Sequence, residues 1–147
     1  MSAKQTIYIK YYNKNIEGTI KQKEASAWID LRAAETVALK AGESKVISLG
    51  ISVKLPDGCE AWIAPRSSTF KNFGVLMVNS PGVIENEYCG EDDVWGFAAL
   101  AMRDTVIREG DRICHFRIMK QMDEVDAVAI EKMSGKSRGG FGSTGVR

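Results

Sequence analysis

Between Ser44 and Leu55 the chain alternates without a break. Ile47, Leu49, Ile51, Val53 and Leu55 take one set of positions, and Val46, Ser48, Gly50, Ser52 and Lys54 the other. A period of two sends successive side chains to opposite faces, so the stretch is predicted as a β-strand with the first set turned to a core. Pro56-Asp57-Gly58 follows, a turn signal in which Pro presets φ and Gly accepts a positive one. Strand and turn then recur at short intervals. Strands are predicted over Ile7–Tyr12, Thr36–Lys40, Cys59–Ala64, Val75–Val78, Val94–Met102, Val106–Ile107, Arg112–Lys120 and Val125–Met133. Lys14–Lys23 is predicted as a loop, and Thr69–Gly74 as the one short helix. With about ten short strands and almost no helical period, the fold class is all-β: a sandwich, a barrel or a jelly roll.

A chain of 147 residues is long enough for one domain with a sizeable core. A net charge of +1 argues against a broad surface for nucleic acid or acidic lipid. No apolar run approaches the ~20 residues needed to cross a bilayer, and the first residues lack the apolar centre of a signal peptide. Cys59, Cys89 and Cys114 are odd in number and far apart. That spacing excludes a zinc knuckle and speaks against a disulfide framework, so a cytoplasmic location is expected. Composition shifts at Ser134. Five of the last 14 residues are Gly, too little apolar content to fold alone. The expected division is a β domain over 1–133 and a flexible arm over 134–147.

Five stretches concentrate polar chemistry. In Trp28-Ile29-Asp30-Leu31-Arg32 a carboxylate sits in an apolar run, where a charge needs a partner, Arg32 or another cation. Pro65-Arg66-Ser67-Ser68 ends a strand. Asn79 to Glu91 reads as a strand, a tight turn at Pro81-Gly82 and a return, carrying amide, carboxylate and phenol groups at its tip. Gly110-Asp111-Arg112 opens the strand that bears His115, the chain's only histidine; nothing around it has metal-ligand spacing. The arm reads Arg138-Gly139-Gly140-Phe141-Gly142-Ser143-Thr144-Gly145. It is either a plain flexible terminus or an anion-binding segment, with backbone amides, an Arg fork, two hydroxyls and an aromatic that can lie on a base. No Gly-Lys-Ser/Thr is present, so it is not a P-loop.

In this order and spacing the five stretches resemble the motifs of the trimeric dUTPase family, the deoxyuridine 5′-triphosphate nucleotidohydrolases, and most closely the short bacterial and phage members. The likeness runs from about residue 25 to 145. It implies a jelly roll and a homotrimer whose sites are shared: the first, second and fourth motifs from one subunit, the third from a second, the arm from a third. It also implies hydrolysis of dUTP to dUMP and pyrophosphate, with Mg²⁺ on the phosphates. Asp30 would hold that ion through water, so no direct protein ligand is expected. Ser67 would donate to the oxygen leaving with pyrophosphate, and Arg66 and Ser68 would support the phosphate side. Asn79 and the backbone near Gly82 and Ile84 would read uracil, and Tyr88 would pack on the deoxyribose. Arg138, Gly142, Ser143 and Thr144 would hold the outer phosphates while Phe141 covers the base.

Two positions depart from the family pattern. Glu85 stands where the family has the water-activating Asp. His115 stands where a Gln donates to the α-phosphate. Glu85 keeps the chemistry but adds a methylene, which predicts slower turnover. His115 predicts affinity that strengthens from about pH 8 to pH 6, around its reference pKa. Two other functions are compatible with such a chain. One is a catalytically weak dUTP-binding regulator that signals to a protein partner. The other is a dCTP deaminase of the same fold, although Cys89–Met102 lacks the Thr-Leu-Glu signature expected there.

Overall fold

The computed structural model describes residues 4–142 and 144–146. Among them the chain forms β1 (Tyr8–Tyr11), a 3-10 turn (Lys14–Ile16), β2 (Ile29–Arg32), β3 (Val37–Leu39), β4 (Ser44–Ser48), β5 (Ile51–Lys54) and β6 (Cys59–Pro65). Then come helix α1 (Thr69–Phe73), β7 (Val75–Met77), β8 (Gly82–Ile84), β9 (Gly96–Ala101), β10 (Thr105–Ile107) and β11 (Arg112–Lys120). All pairings are antiparallel: a four-stranded sheet in the order β2-β11-β6-β8, a three-stranded sheet β4-β9-β7, and the pairs β1-β5 and β3-β10. Sandwich-forming β structure is therefore present as the sequence predicts.

One core draws on all four sheets. Leu31, Ile63 and Phe116 come from the largest, Ile47, Val75 and Phe97 from the three-stranded one, and Val53, Val37 and Ile107 from the two pairs. Trp95, 1% exposed, meets Phe116 edge to face at 5.2 Å between centroids. That geometry is worth about 1 kcal/mol beyond the area both rings bury.

The long alternation of Ser44–Leu55 proves to be two strands. β4 pairs with β9 and β5 with β1, and the chain changes sheet at Gly50, whose φ is +66°. A Cβ there would stand 2.5 Å from the Ala34 Cβ, so only glycine makes this corner. The alternation survives because Ile47, Leu49, Ile51, Val53 and Leu55 all stay inside. The predicted hairpin at Pro81-Gly82 is also absent. β7 pairs with β9 while β8 pairs with β6, and residues 79–81, including the cis Ser80–Pro81 bond, carry the chain between sheets. The apolar content on both sides of the turn serves two different neighbours.

Val125–Met133 does not form the predicted last strand. Its Val125, Val128, Ile130 and Met133 are 64–83% exposed, and among the described residues the last backbone bond to the body is Gln121 N–H to Gly58 C=O, 2.9 Å. A strand needs a ladder partner, and this segment meets none among the described residues. β11 departs from simple alternation as well. Its register with β2 shifts between Arg112 and Cys114, so Ile113 and Cys114 are both buried and His115 is turned to the opposite face. No helix of the described residues is long and apolar enough to cross a membrane.

Candidate functional site

Two separate cavities hold many of the sequence candidates. The first, of about 280 Å³, is lined by Lys21, Lys23, Ser26, Trp28, Asp30, Arg66, Ser67 and His115. Its floor is the β2-β11-β6 ladder, where His115 stands opposite Asp30 on one side and Ala64 on the other. Asp30 finds cationic partners there, and Arg32 is not among them. Arg66 Nε lies 3.2 Å from Oδ1, and Arg112 Nη1 and Lys23 Nζ lie 3.5 and 3.8 Å from Oδ2. Arg32 instead donates to Gly110 C=O at 3.0 Å. Three cations around one carboxylate leave the cavity positive, the sign a polyphosphate requires.

Arg66 is held on two sides. Its backbone N–H donates to Thr69 Oγ1, and that hydroxyl donates to Ile113 C=O, each at 2.8 Å. Its guanidinium also donates to Arg112 C=O at 3.1 Å. Thr69, 1% exposed, thus fixes the turn after β6, a role its place next to the serines could have suggested. Ser67 is exposed at the cavity, whereas Ser68 precedes α1, where its carbonyl accepts from Asn72 N–H at 2.9 Å. Ser68 does not line the cavity.

Trp28 is the largest residue that the sequence reading passed over. Its ring stacks on His115 at 4.4 Å and 28°, and the Arg117 guanidinium lies 5.7 Å from its centroid. Position 28 is two before Asp30 in an extended run, which is the signal that could have placed it on the same face. Burial holds the His115 pKa below the usual histidine value; Asp30 pulls it up and Arg66 pushes it down again. The expected gain of affinity on lowering the pH therefore extends further toward acid, because the free protein takes up this proton only there. Burial, with the Asp30 charge next, pushes the neighbouring Cys114 thiol far up, which makes it a packing residue and no nucleophile.

The second cavity, of about 560 Å³, is lined by Asn79, Val83, Ile84, Glu85, Glu87 and Tyr88 on one side and by Val46, Val94, Trp95, Gly96 and Ala98 on the other. Gly82 is buried beside it, and a Cβ there would come within 2.7 Å of Met77 Cε. The missing side chain at Gly82 therefore lets β8 pack closely on Met77 beneath the cavity. The 85–88 turn is pinned by Asn86, whose amide donates to Pro56 and Cys59 carbonyls at 2.8 and 2.9 Å. Tyr88 N–H donates to Glu85 C=O at 3.1 Å, and its hydroxyl to Val94 C=O at 3.3 Å. Glu85 itself is exposed.

The two cavities share no lining residue, so one chain does not bring Asp30, Ser67 and His115 together with Asn79, Glu85 and Tyr88. Arg138, Phe141, Gly142 and Thr144 are exposed and line neither; Ser143 lies outside the described residues. No group of three or more His, Cys, Asp or Glu side chains could hold a metal ion among the described residues. One carboxylate amid cations fits only an ion that arrives with phosphate oxygens and keeps its waters.

Comparison with known proteins shows the family and the fold. The dUTPase family model matches residues 14–145. An SPbeta prophage-derived deoxyuridine 5′-triphosphate nucleotidohydrolase of Bacillus subtilis is 51% identical over 141 residues, covering 96% of this chain and 99% of that one. The deoxyuridine 5′-triphosphate nucleotidohydrolase of Rickettsia felis is 40% identical over 140 residues, covering 90% and 93%. Among solved structures, a Staphylococcus bacteriophage 80alpha dUTPase with dUpNHpp superimposes with a TM-score of 0.78 at 20% identity, covering 96% and 99%. A dUTPase from phage phi11 of S. aureus, described as coordinating a structural Mg(II) ion, gives 0.69 at 17% identity, covering 88% and 97%. At these identities the two structures establish the jelly-roll fold.

Proposed function

The chain belongs to the dUTPase family, and we propose that it hydrolyses dUTP to dUMP and pyrophosphate in sites completed between copies of itself. One observation carries the reading. The phosphate-type cavity holds the first, second and fourth motifs and the base-type cavity the third, and in a single chain the two are separate. A homotrimer that sets the first cavity of one subunit against the second of another would unite them, with the arm that starts at Ser134 of a third closing over both.

In such a site the residues divide the work as follows. Uracil offers an N–H between two carbonyls. The Asn79 amide and the backbone at Gly82 and Ile84 match that edge, and cytosine would leave buried groups unpaired, a large penalty. Tyr88 lies along the deoxyribose and excludes a 2′-hydroxyl. Arg66 and Ser67 donate to the phosphates, where charge grows as pyrophosphate leaves, and His115 donates to the α-phosphate. Glu85 accepts a proton from the water that attacks the α-phosphorus in line. Asp30 would hold a Mg²⁺ ion through its waters, and that ion would supply positive charge to the triphosphate. Arg138, Gly142, Ser143 and Thr144 hold the outer phosphates and Phe141 covers the base.

Complementation tests both the activity and the sharing. Asp30→Asn and Glu85→Gln are each expected to be inactive on dUTP alone. Co-expressed with different tags and purified through both, they regain part of the wild-type turnover, because mixed assemblies contain sites that are wild-type at both positions. Mixed assemblies as inactive as their parents would refute shared sites, and wild-type protein without dUTP turnover would refute the activity.

A further inference from the structure

The loop between the 3-10 turn and β2 contributes two lysines to the first cavity, Lys21 and Lys23, that none of the five motifs contains. The loop is built to present them. Ser26 N–H donates to Lys23 C=O at 3.0 Å, closing a turn in which Ala25 takes a φ of +61°. Gln22, between the lysines, turns its amide to Ser26 C=O at 2.8 Å. Ser26 Oγ donates to Trp28 C=O at 2.7 Å, and the Trp28 ring is seated on His115. Both lysines therefore face the cavity at the end of an anchored segment.

Neither lysine has a structural duty that explains this placement. Asp30 already has Arg66 at 3.2 Å and Arg112 at 3.5 Å, while Lys23 stands farthest at 3.8 Å with its side chain 69% exposed. An exposed pair at that distance adds little to folding. What the two ammonium groups do change is the cavity's field. Both are exposed where Arg66 is half-buried, so an incoming polyanion meets them before it reaches Arg66.

We propose that Lys21 and Lys23 form an entry subsite for the polyphosphate end of the substrate, engaging it before the arm closes. The inference rests on the dUTP reading of this cavity and adds a positioning role outside the motifs. An ammonium on a flexible stem suits it, because a rotatable point charge can follow phosphate oxygens as they move inward. Such a subsite acts on capture, so it lowers KM and leaves the chemical step alone.

The test compares wild type, the double variant Lys21→Gln/Lys23→Gln, and the charge-preserving Lys21→Arg/Lys23→Arg. Inorganic tripolyphosphate serves as probe in calorimetry, beside dUTP kinetics at several salt concentrations. The Gln variant is expected to bind tripolyphosphate about tenfold more weakly and to raise KM for dUTP similarly. Its kcat and its inhibition by dUMP stay unchanged, its salt dependence becomes shallower, and the Arg variant restores affinity. Equal tripolyphosphate affinity in the wild type and the Gln variant would overturn the subsite. So would a Gln variant that lost kcat with KM intact. Because the probe carries no nucleoside, a wild type that binds tripolyphosphate through these lysines but does not turn over dUTP would uphold the subsite while defeating the activity.

Discussion

Arg66 Nε and Asp30 Oδ1 lie 3.2 Å apart although Asp30 is in β2 and Arg66 directly follows β6, two strands that are not neighbours. β11 runs between β2 and β6, and adjacent strands are spaced roughly 4.8 Å apart. The pair therefore reaches across β11 at the level of His115, which stands opposite Asp30 in the ladder. A long planar guanidinium makes that span while its own Nη1 donates to Arg112 C=O.

Arg66→Lys shortens the reach and removes the fork. kcat/KM for dUTP is expected to fall by about 10²- to 10³-fold, the usual loss of one charge-stabilising donor, with thermal unfolding little changed because the pair is partly solvated. Steady-state kinetics beside a thermal melt checks this, and unchanged kinetics would remove Arg66 from the phosphate machinery.

Glu85 belongs to the other cavity and is one methylene longer than the family's Asp. With the extra length displacing the attacking water by about 1 Å, Glu85→Asp raises kcat by up to roughly a hundredfold with KM unchanged. No rise would mean that Glu85 is already well placed or is not the base.

His115 gives the pH dependence its sign. Burial keeps it neutral in the free protein near pH 7, and the charge of a bound triphosphate favours the cation. Affinity for dUTP therefore increases as pH falls through the raised pKa of the complex, and levels off below the lowered pKa of the free protein. Calorimetric titrations from pH 8 to pH 5 should show the gain, and His115→Gln should flatten it. A wild-type profile as flat as the variant's would exclude this role.

Deleting 134–147 is expected to abolish most dUTP turnover while leaving the melting temperature within about 2 °C. The Arg138, Phe141 and Thr144 side chains are exposed, and among the described residues the backbone of 134–142 makes no hydrogen bond to the body. Full activity in the truncated protein would return the arm to the status of an ordinary terminus.

Gly50→Ala tests the fold. The substitution combines a positive φ with a Cβ 2.5 Å from Ala34 Cβ, so urea denaturation should show a loss of about 2–4 kcal/mol. A smaller loss would mean that the corner yields by moving Ala34.

Much was legible in the residues alone. Period-two patterning with turn residues at short intervals can bury its apolar side only as sheets packed on sheets, and five short motifs in a set order pointed to one family. Local pattern could not say which strands pair. Ser44–Leu55 reads as one strand because Gly50 keeps the alternation in phase while the chain changes sheet. Val75–Ile84 reads as a hairpin because each half is apolar, yet each half has a different neighbour. Val125–Met133 has strand composition and no partner. The site divided in the same way. Residue types named the chemistry of Asp30, Ser67, Glu85 and His115. Only the packed structure could assign Asp30 its cations, seat Trp28 on His115, bring Lys21 and Lys23 to the cavity and separate Glu85 from all of them. Chemistry resides in side chains and can be read one at a time; proximity across strands depends on every ladder between them.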